Sequence, residues 1–145
     1  MRAIAAVLIL LLVPACGDTR RPVLPAPAGN GAPAFAGVSW TRDVWPILDV
    51  RCRLCHTVGS GAQQLPDMVM TDSSSLWNAW VRINARCNPN LFRVLPGDSA
   101  MSFVFDKISQ PTPICGQRMP LEGPMLDPAE QATIRDWIDQ GALHN

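Results

Sequence analysis

The chain has 145 residues, and its 12 basic and 12 acidic side chains give a formal net charge of zero. This length has room for one domain of ordinary size. The balanced charge offers neither the basic footprint of a nucleic-acid-binding protein nor a polybasic membrane patch. Fourteen prolines and ten glycines, with few alternating β-branched runs, predict a loop-rich, mainly helical fold without a sheet.

The N-terminus has the pattern of an export signal. Arg2 supplies a positive charge, residues 3–13 form an apolar run, and a small-residue cleavage site ends at Cys16. The run is shorter than the roughly 20 residues that a membrane-spanning helix needs. The segment resembles a bacterial lipoprotein signal, so we predict removal of residues 1–15 and lipid modification of Cys16. The alternative is an ordinary cleaved signal with an incidental cysteine.

Residues 16–38 are predicted to be a tether. They are mainly Pro, Ala and Gly, a composition that cannot bury a core and favours an extended, semi-stiff chain. Together, the signal and the tether predict a protein on the periplasmic side of the cell envelope, anchored by lipid to the inner or the outer membrane. Disulfides persist in that compartment.

The globular domain is predicted to span residues 39–145 and to contain four helices. Pro46 lies inside the first pattern and predicts a kink or a short segment there. The last helix is the best defined, because Asp127-Pro128-Ala129-Glu130 supplies a cap, an initial proline and a reciprocal glutamate, and Gly141 ends it. The first helix is predicted to begin at a cap on Ser39 or Thr41 and to run into Arg51. The second is predicted over about residues 74–84 and the third over about residues 100–108.

The end of the first predicted helix carries a Cys-x-x-Cys-His pentapeptide, the attachment signature of a c-type haem. Its members are Cys52, Cys55 and His56. Two thiols one helical turn apart can each add across a vinyl group on one porphyrin edge. The histidine that follows is then held beneath the ring, where its imidazole can bind iron. The motif therefore predicts one covalently attached haem c. A thioredoxin-like redox site is the weaker alternative, because no βαβ pattern surrounds the cysteines.

The cysteine count agrees with this interpretation. Five cysteines, less Cys16 and the two haem anchors, leave Cys87 and Cys115. In an oxidising compartment such a pair most simply forms a disulfide, which would close a loop around the third helix. Two alternatives stay open: a pair of buried free thiols, and a zinc site built from these two cysteines with Cys52 and Cys55. The second pair lacks the close spacing usual in zinc sites.

The order of these features resembles a class I cytochrome c domain, from Ser39 to the end of the chain. The resemblance implies an all-α, cytochrome c-like fold with long loops around one covalently bound haem. It implies that Cys52 and Cys55 are the thioether anchors, His56 the proximal iron ligand and Met119 the distal one. The stretches that carry it are Val44-Trp45-Pro46-Ile47-Leu48, Cys52-Arg53-Leu54-Cys55-His56, Pro96-Gly97-Asp98-Ser99, Gly116-Gln117-Arg118-Met119-Pro120 and Ile134-Arg135-Asp136-Trp137-Ile138-Asp139-Gln140-Gly141-Ala142.

Other side chains compete with Met119 as the distal ligand, and further side chains are expected near the haem. A methionine ordinarily fills space in the core. Met119 is favoured as the distal ligand because it lies in a Pro/Gly-rich loop rather than on a helix face. The competing ligands are Met68, Met70, Met101, Met125 and His144. Tryptophans at helical spacing are expected to pack in the core or against the haem, and one of them to donate to a propionate: Trp77, Trp80 and Trp137. Three arginines are expected either to pair with propionates or a redox partner or to be solvated: Arg51, Arg53 and Arg118.

Filling both axial positions leaves iron no open site, so the resemblance implies an electron carrier rather than an enzyme. The expected partners are redox proteins, and no nucleic acid is expected. The protein is predicted to be a monomer that its N-terminal lipid attaches to a membrane. The alternative function is a haem-binding sensor, or an accessory electron-entry module of a larger enzyme assembly, in which a small ligand displaces Met119.

Overall fold

The computed structural model describes residues 37–60 and 68–145. These residues belong to one structural unit, Pro33–Asn145. Cys16, the predicted signal and all of the predicted tether except residues 37 and 38 lie outside the described residues, so those predictions stay predictions. None of the helices in the described part of the chain is both long and apolar enough to cross a membrane.

Helices, joined by long loops, are the main regular secondary structure of the described residues. A π-helical turn, Trp40–Val44, runs directly into α1, Trp45–Arg51. Three further helices follow: α2, Ser73–Trp80; α3, Phe103–Ser109; and α4, Pro128–Asp139. Residues 37–60 and 68–145 contain no β-strand, only isolated bridges such as Val81 to Val94. The prediction of a mainly helical chain is thus confirmed, while the cytochrome c-like arrangement stays a prediction.

The first helical segment begins at Ser39, one of the two predicted caps. The Ser39 side chain accepts a hydrogen bond from the Arg42 amide, and its own amide donates to the Asp43 carboxylate at 2.7 Å. Pro46 follows a short first segment, the π-helical turn that ends at Val44, which is one of the two outcomes predicted. It occupies the first turn of α1, where a missing amide hydrogen costs nothing. The segment therefore reaches Arg51 as predicted, with the change from π- to α-helix at Trp45.

The ends of α2 and α3 differ from prediction because distant backbone groups compete for them. We predicted α2 to reach residue 84, but Val81 is extended and Arg82 has φ 60°. The Val94 amide donates to the Trp80 carbonyl, and the Arg82 amide to the Val94 carbonyl. α3 begins at Phe103 rather than near residue 100, because its first amides donate to carbonyls of residues 92 and 93.

The helix α4 has the predicted form and seals the core. Asp127 and Glu130 form a complete capping box, and the chain leaves the helix through Gly141 at φ 107°. The ring of Trp137 packs against Trp40 with centroids 4.8 Å apart. Other fully buried core side chains are Val44, Leu48, Leu76, Ile134 and Ile138.

Candidate functional site

A cavity of about 290 Å³ lies between α1, α3 and the loop segments around them. This volume is at the small end of the range for small-molecule sites. Its walls are almost wholly apolar. They bring together residues from far apart in the sequence: Leu48, Cys52, His56, Met68, Met70, Trp80, Ala85, Arg86, Cys87, Arg93, Phe103, Val104, Lys107, Ile108, Cys115, Gly116 and Met119.

The pentapeptide forms a tight turn at the C-terminus of α1. The Cys52 amide completes the helix by donating to the Leu48 carbonyl at 2.9 Å. The Cys52 carbonyl then accepts from the amides of Cys55 and His56, at 3.2 and 3.1 Å. This turn directs Cys52 and His56 to the cavity wall, whereas Cys55 is exposed and does not line the cavity. Two of the three predicted motif residues therefore share the site.

The thiol of Cys52 is held in its neutral form. Burial raises its pKa to about 11, an effect that the positive charge of Arg51 opposes and that Glu130 and Cys55 reinforce. A thiol of this pKa is a poor nucleophile and a poor metal ligand at neutral pH, because both roles use the thiolate. A neutral thioether carries no charge to bury, so this position suits one.

The imidazole of His56 combines burial with an unsatisfied nitrogen. Its backbone carbonyl accepts from the Met70 amide at 2.6 Å, which ties the residue to the segment that begins at Met68. Burial lowers the pKa of the ring, and a hydrogen bond with the Met68 backbone partly opposes that shift. Nδ1 is buried without a hydrogen-bond partner. The imidazole is half-buried at the cavity wall, and its neutral form, which the lowered pKa favours, is the form that binds metal ions.

Met119 reaches the same cavity from the loop between α3 and α4. Its amide donates to the Lys107 carbonyl at 2.7 Å. The Lys107 ammonium donates to the carbonyls of Cys115, at 3.1 Å, and Gln117. Burial lowers the pKa of this lysine. On the preceding residue of α3, the Asp106 carboxylate accepts from the Ile114 amide at 2.9 Å. Residues of α3 thus hold this loop in place through hydrogen bonds to the backbone of the loop. We call the loop, residues 110–127, the methionine loop.

Cys87 and Cys115 are joined as a disulfide, with Cα atoms 6.3 Å apart. Both line the cavity. The bridge ties the segment after α2 to the methionine loop, four residues before Met119. In residues 37–60 and 68–145, no three His, Cys, Asp or Glu side chains lie together as a metal site. The four-cysteine zinc alternative is therefore not assembled in that part of the chain.

The arginines beside the motifs bind backbone and carboxylates of this domain. Arg118 donates to the carbonyls of Pro120 and Gly123, and so braces its own loop. Arg51 donates to the Met125 carbonyl at 3.1 Å and lies 3.5 Å from the Glu130 carboxylate. Arg53 pairs with Asp49 on the surface of α1, at 2.8 Å.

The competing ligands divide into two groups. Met68 and Met70 line the cavity, and Met70 is fully buried in the core, so both are near enough to the site to matter. Met101 is 47% exposed and, like Met125, is absent from the walls. His144 lies at the surface, with its Nε2 3.2 Å from the Ser74 hydroxyl and its ring beside Trp77.

Sequence reasoning missed the charged residues in the cavity wall. Arg93 is only 6% exposed, and Arg86 and Lys107 contribute to the same wall. Arg93 lies between the turn at Asn88-Pro89-Asn90 and the apolar residue Val94, where a sequence pattern gives no sign of burial. Trp80 was expected in the core or against haem, and it does line the cavity, but its unpartnered Nε1 could not be foreseen.

No protein-family model, curated protein or solved structure matches this chain.

Proposed function

We propose that the protein is an exported, lipid-anchored monohaem c-type cytochrome that carries single electrons between redox partner proteins near a membrane. One observation carries the proposal. Cys52 and His56 belong to the haem-attachment motif, and the resemblance to class I cytochrome c domains implies Met119 as the distal ligand; all three line one apolar cavity although up to 67 positions separate them. Attachment of a haem at Cys52, with His56 and Met119 as its iron ligands, would require these three residues to meet at one site.

The residues of the cavity fit a haem c. Cys52 supplies a neutral, desolvated thiol for a thioether, and Cys55 supplies the second from the exposed side of the same turn. His56 offers a buried nitrogen without a partner, and Met119 a thioether sulfur. When bound, the haem supplies a reversible one-electron couple between ferrous and ferric iron.

The chain's own residues would tune that couple. His56 and Met119 together favour the ferrous state relative to ligation by two histidines, because a thioether sulfur is a soft, neutral donor. Side chains such as Leu48 and Ile108 keep water from the site, which further disfavours the more highly charged ferric state. The hydrogen bonds from α3 to the methionine loop would keep the distal ligand in place through many turnovers.

The test is a potentiometric titration of the holoprotein, followed by exposure of the reduced form to carbon monoxide. We expect a reversible transition that fits one electron, and no change of spectrum with carbon monoxide, because Met119 occupies the sixth position. Displacement of the methionine by carbon monoxide at low concentration would favour the sensor alternative. Absence of a reversible one-electron transition would contradict both functions.

A further inference from the structure

The disulfide between Cys87 and Cys115 lies where the wall of the cavity meets solvent. Both cysteines line the cavity. Cys87 is nevertheless exposed at the surface, and Cys115 is half-buried. Disulfides that only stabilise a fold resist reduction, whereas exposed ones are the labile and regulatory kind, because an incoming thiolate reaches them. The position of this bridge therefore permits thiol–disulfide exchange in the folded protein.

The two segments that the bridge joins are held in different ways. On the Cys87 side, residues 85–91 close a turn, in which the first amide donates to the last carbonyl at 2.8 Å. On the Cys115 side, the methionine loop has no regular secondary structure, and Asp106 and Lys107 of α3 hold its backbone. Cleavage of the bridge would remove the covalent link between the two segments and leave the loop its hydrogen bonds to α3. The loop, with the predicted distal ligand, is therefore the side that we expect to move.

Exposure and charge favour one direction of attack on the bridge. Cys87 is the more exposed of the two residues, so its sulfur is the one that an incoming thiolate meets first. Cys115 is then the leaving group. The Lys107 ammonium donates to the Cys115 carbonyl at 3.1 Å, and a positive charge close to the departing sulfur stabilises it as a thiolate.

We propose that the bridge between Cys87 and Cys115 is a site of thiol–disulfide exchange, at which a dithiol reductant opens the wall of the cavity. One thiolate of the reductant attacks Sγ of Cys87, the S–S bond breaks, and Cys115 leaves as a thiolate. The second thiolate of the reductant then attacks the reductant's own sulfur in the mixed disulfide and releases Cys87. The reductant loses two electrons and becomes a disulfide, and its two protons pass to the two cysteine sulfurs. The exchange does not depend on what the cavity binds, whereas its effect on iron ligation by Met119 rests on the proposed function.

The first test is thiol trapping of the folded, full-length chain. The protein is incubated with dithiothreitol or with reduced thioredoxin, quenched with acid and alkylated, and the peptides that contain Cys87 and Cys115 are analysed by mass spectrometry. Without denaturant, we expect reduction at a rate within about tenfold of that in denaturant. Faster reduction by thioredoxin at equal concentration would identify a protein dithiol as the reactant, and slower reduction a small one. A bridge that both reagents leave intact until denaturant is added would overturn the proposal.

The direction of attack is tested with reduced glutathione, a monothiol that forms a mixed disulfide. After brief exposure and an acid quench, we expect the glutathione adduct on Cys87 and a free thiol on Cys115. An adduct mainly on Cys115 would contradict the assigned direction.

Opening of the wall is measured by hydrogen–deuterium exchange at the amides of Ile114 and Met119, which both donate to α3. After reduction we expect these amides to exchange about tenfold faster, with the amides of α4 unchanged. The variant Cys87→Ser/Cys115→Ser should match the reduced protein and no longer respond to dithiothreitol. Ascorbate, which reduces ferric iron and leaves disulfides intact, controls for a bound haem. Equal exchange before and after reduction would refute the opening.

The outcomes separate this proposal from the proposed function. A protein without covalent haem, in which the bridge is reduced and the methionine loop then exchanges faster, would overturn the cytochrome and support the exchange site. A haem protein whose bridge resists both reductants would support the cytochrome and overturn the exchange site.

Discussion

At the scale of single residues, the site combines groups that would each be unfavourable alone. An unpaired buried donor or acceptor costs about 1–3 kcal/mol, and two residues that line the cavity each contain one such atom, His56 Nδ1 and Trp80 Nε1. The thiol of Cys52 is kept neutral by the same burial. A haem attached at Cys52 would replace this thiol by a thioether, which carries no charge to bury.

Met119 provides the sharpest residue test. In Met119→Ala the iron should lose its distal ligand, because Met125, the other methionine of that loop, does not line the cavity. We expect a change from low to high spin, loss of the weak far-red band of methionine-ligated ferric iron, and binding of carbon monoxide by the reduced protein. Absorption and paramagnetic resonance spectra measure each of these changes.

Met101→Ala is the control for that variant, since Met101 is 47% exposed and does not line the cavity. Its spectra should match those of the wild type. An unchanged low-spin spectrum in Met119→Ala would contradict the assignment and direct attention to Met68 and Met70, which share the cavity.

At the scale of elements, the methionine loop depends on α3 and on the disulfide. On one side, the Lys107 ammonium donates hydrogen bonds to carbonyls of the loop. The Asp106 carboxylate and the Lys107 carbonyl accept hydrogen bonds from amides of the loop. The bridge between Cys87 and Cys115 fixes it from the other side, closing a segment with a sequence separation of 28 residues. The loop has no regular secondary structure, so these links are what position Met119.

Removal of the bridge should lower stability and loosen the distal ligand. By the loop-entropy relation, a closed segment of this length stabilises the fold by about 3–4 kcal/mol. In the double variant Cys87→Ser/Cys115→Ser we expect that loss in chemical denaturation, and a lower carbon monoxide concentration for displacement of Met119. Equal stability with and without the bridge would contradict the structural role assigned to it.

The sequence was most informative where local signals decide the structure. The capping box of Asp127 and Glu130, and the exit at Gly141, needed only neighbouring residues, and α4 formed as predicted. The end of α2 and the start of α3 depend instead on bridges from Val81 to Val94 and from Phe92 to Ser102. Those pairings join segments more than nine residues apart, and no local pattern indicates them.

At the scale of the whole molecule, the motif residues were identifiable from sequence because their chemistry is rare and their spacing is fixed. The cavity that they line was not. Its lining includes Arg93 and Trp80, whose burial follows from how the segment after α2 folds back on that helix. Sequence patterns thus indicate the metal-binding candidates, and the three-dimensional fold is needed to find the other residues that line the cavity with them.

Anchoring by lipid is a prediction at this scale too. In Cys16→Ser the acceptor for the lipid is absent, so the protein should leave the membrane fraction and appear in soluble form. Fractionation followed by immunoblotting measures the change, with a conservative substitution in the tether, such as Val23→Ala, as the control. Continued association of the Cys16 variant with membranes would indicate another means of attachment.

The most direct measurement of the central claim is whether haem stays bound to the unfolded protein. The full chain would be produced in a host that attaches c-type haem, denatured, and extracted with acidified solvent. We expect the haem absorbance to remain with wild-type protein and to be extracted from Cys52→Ala/Cys55→Ala. A folded wild-type protein without haem, or with haem that the solvent removes, would contradict the account.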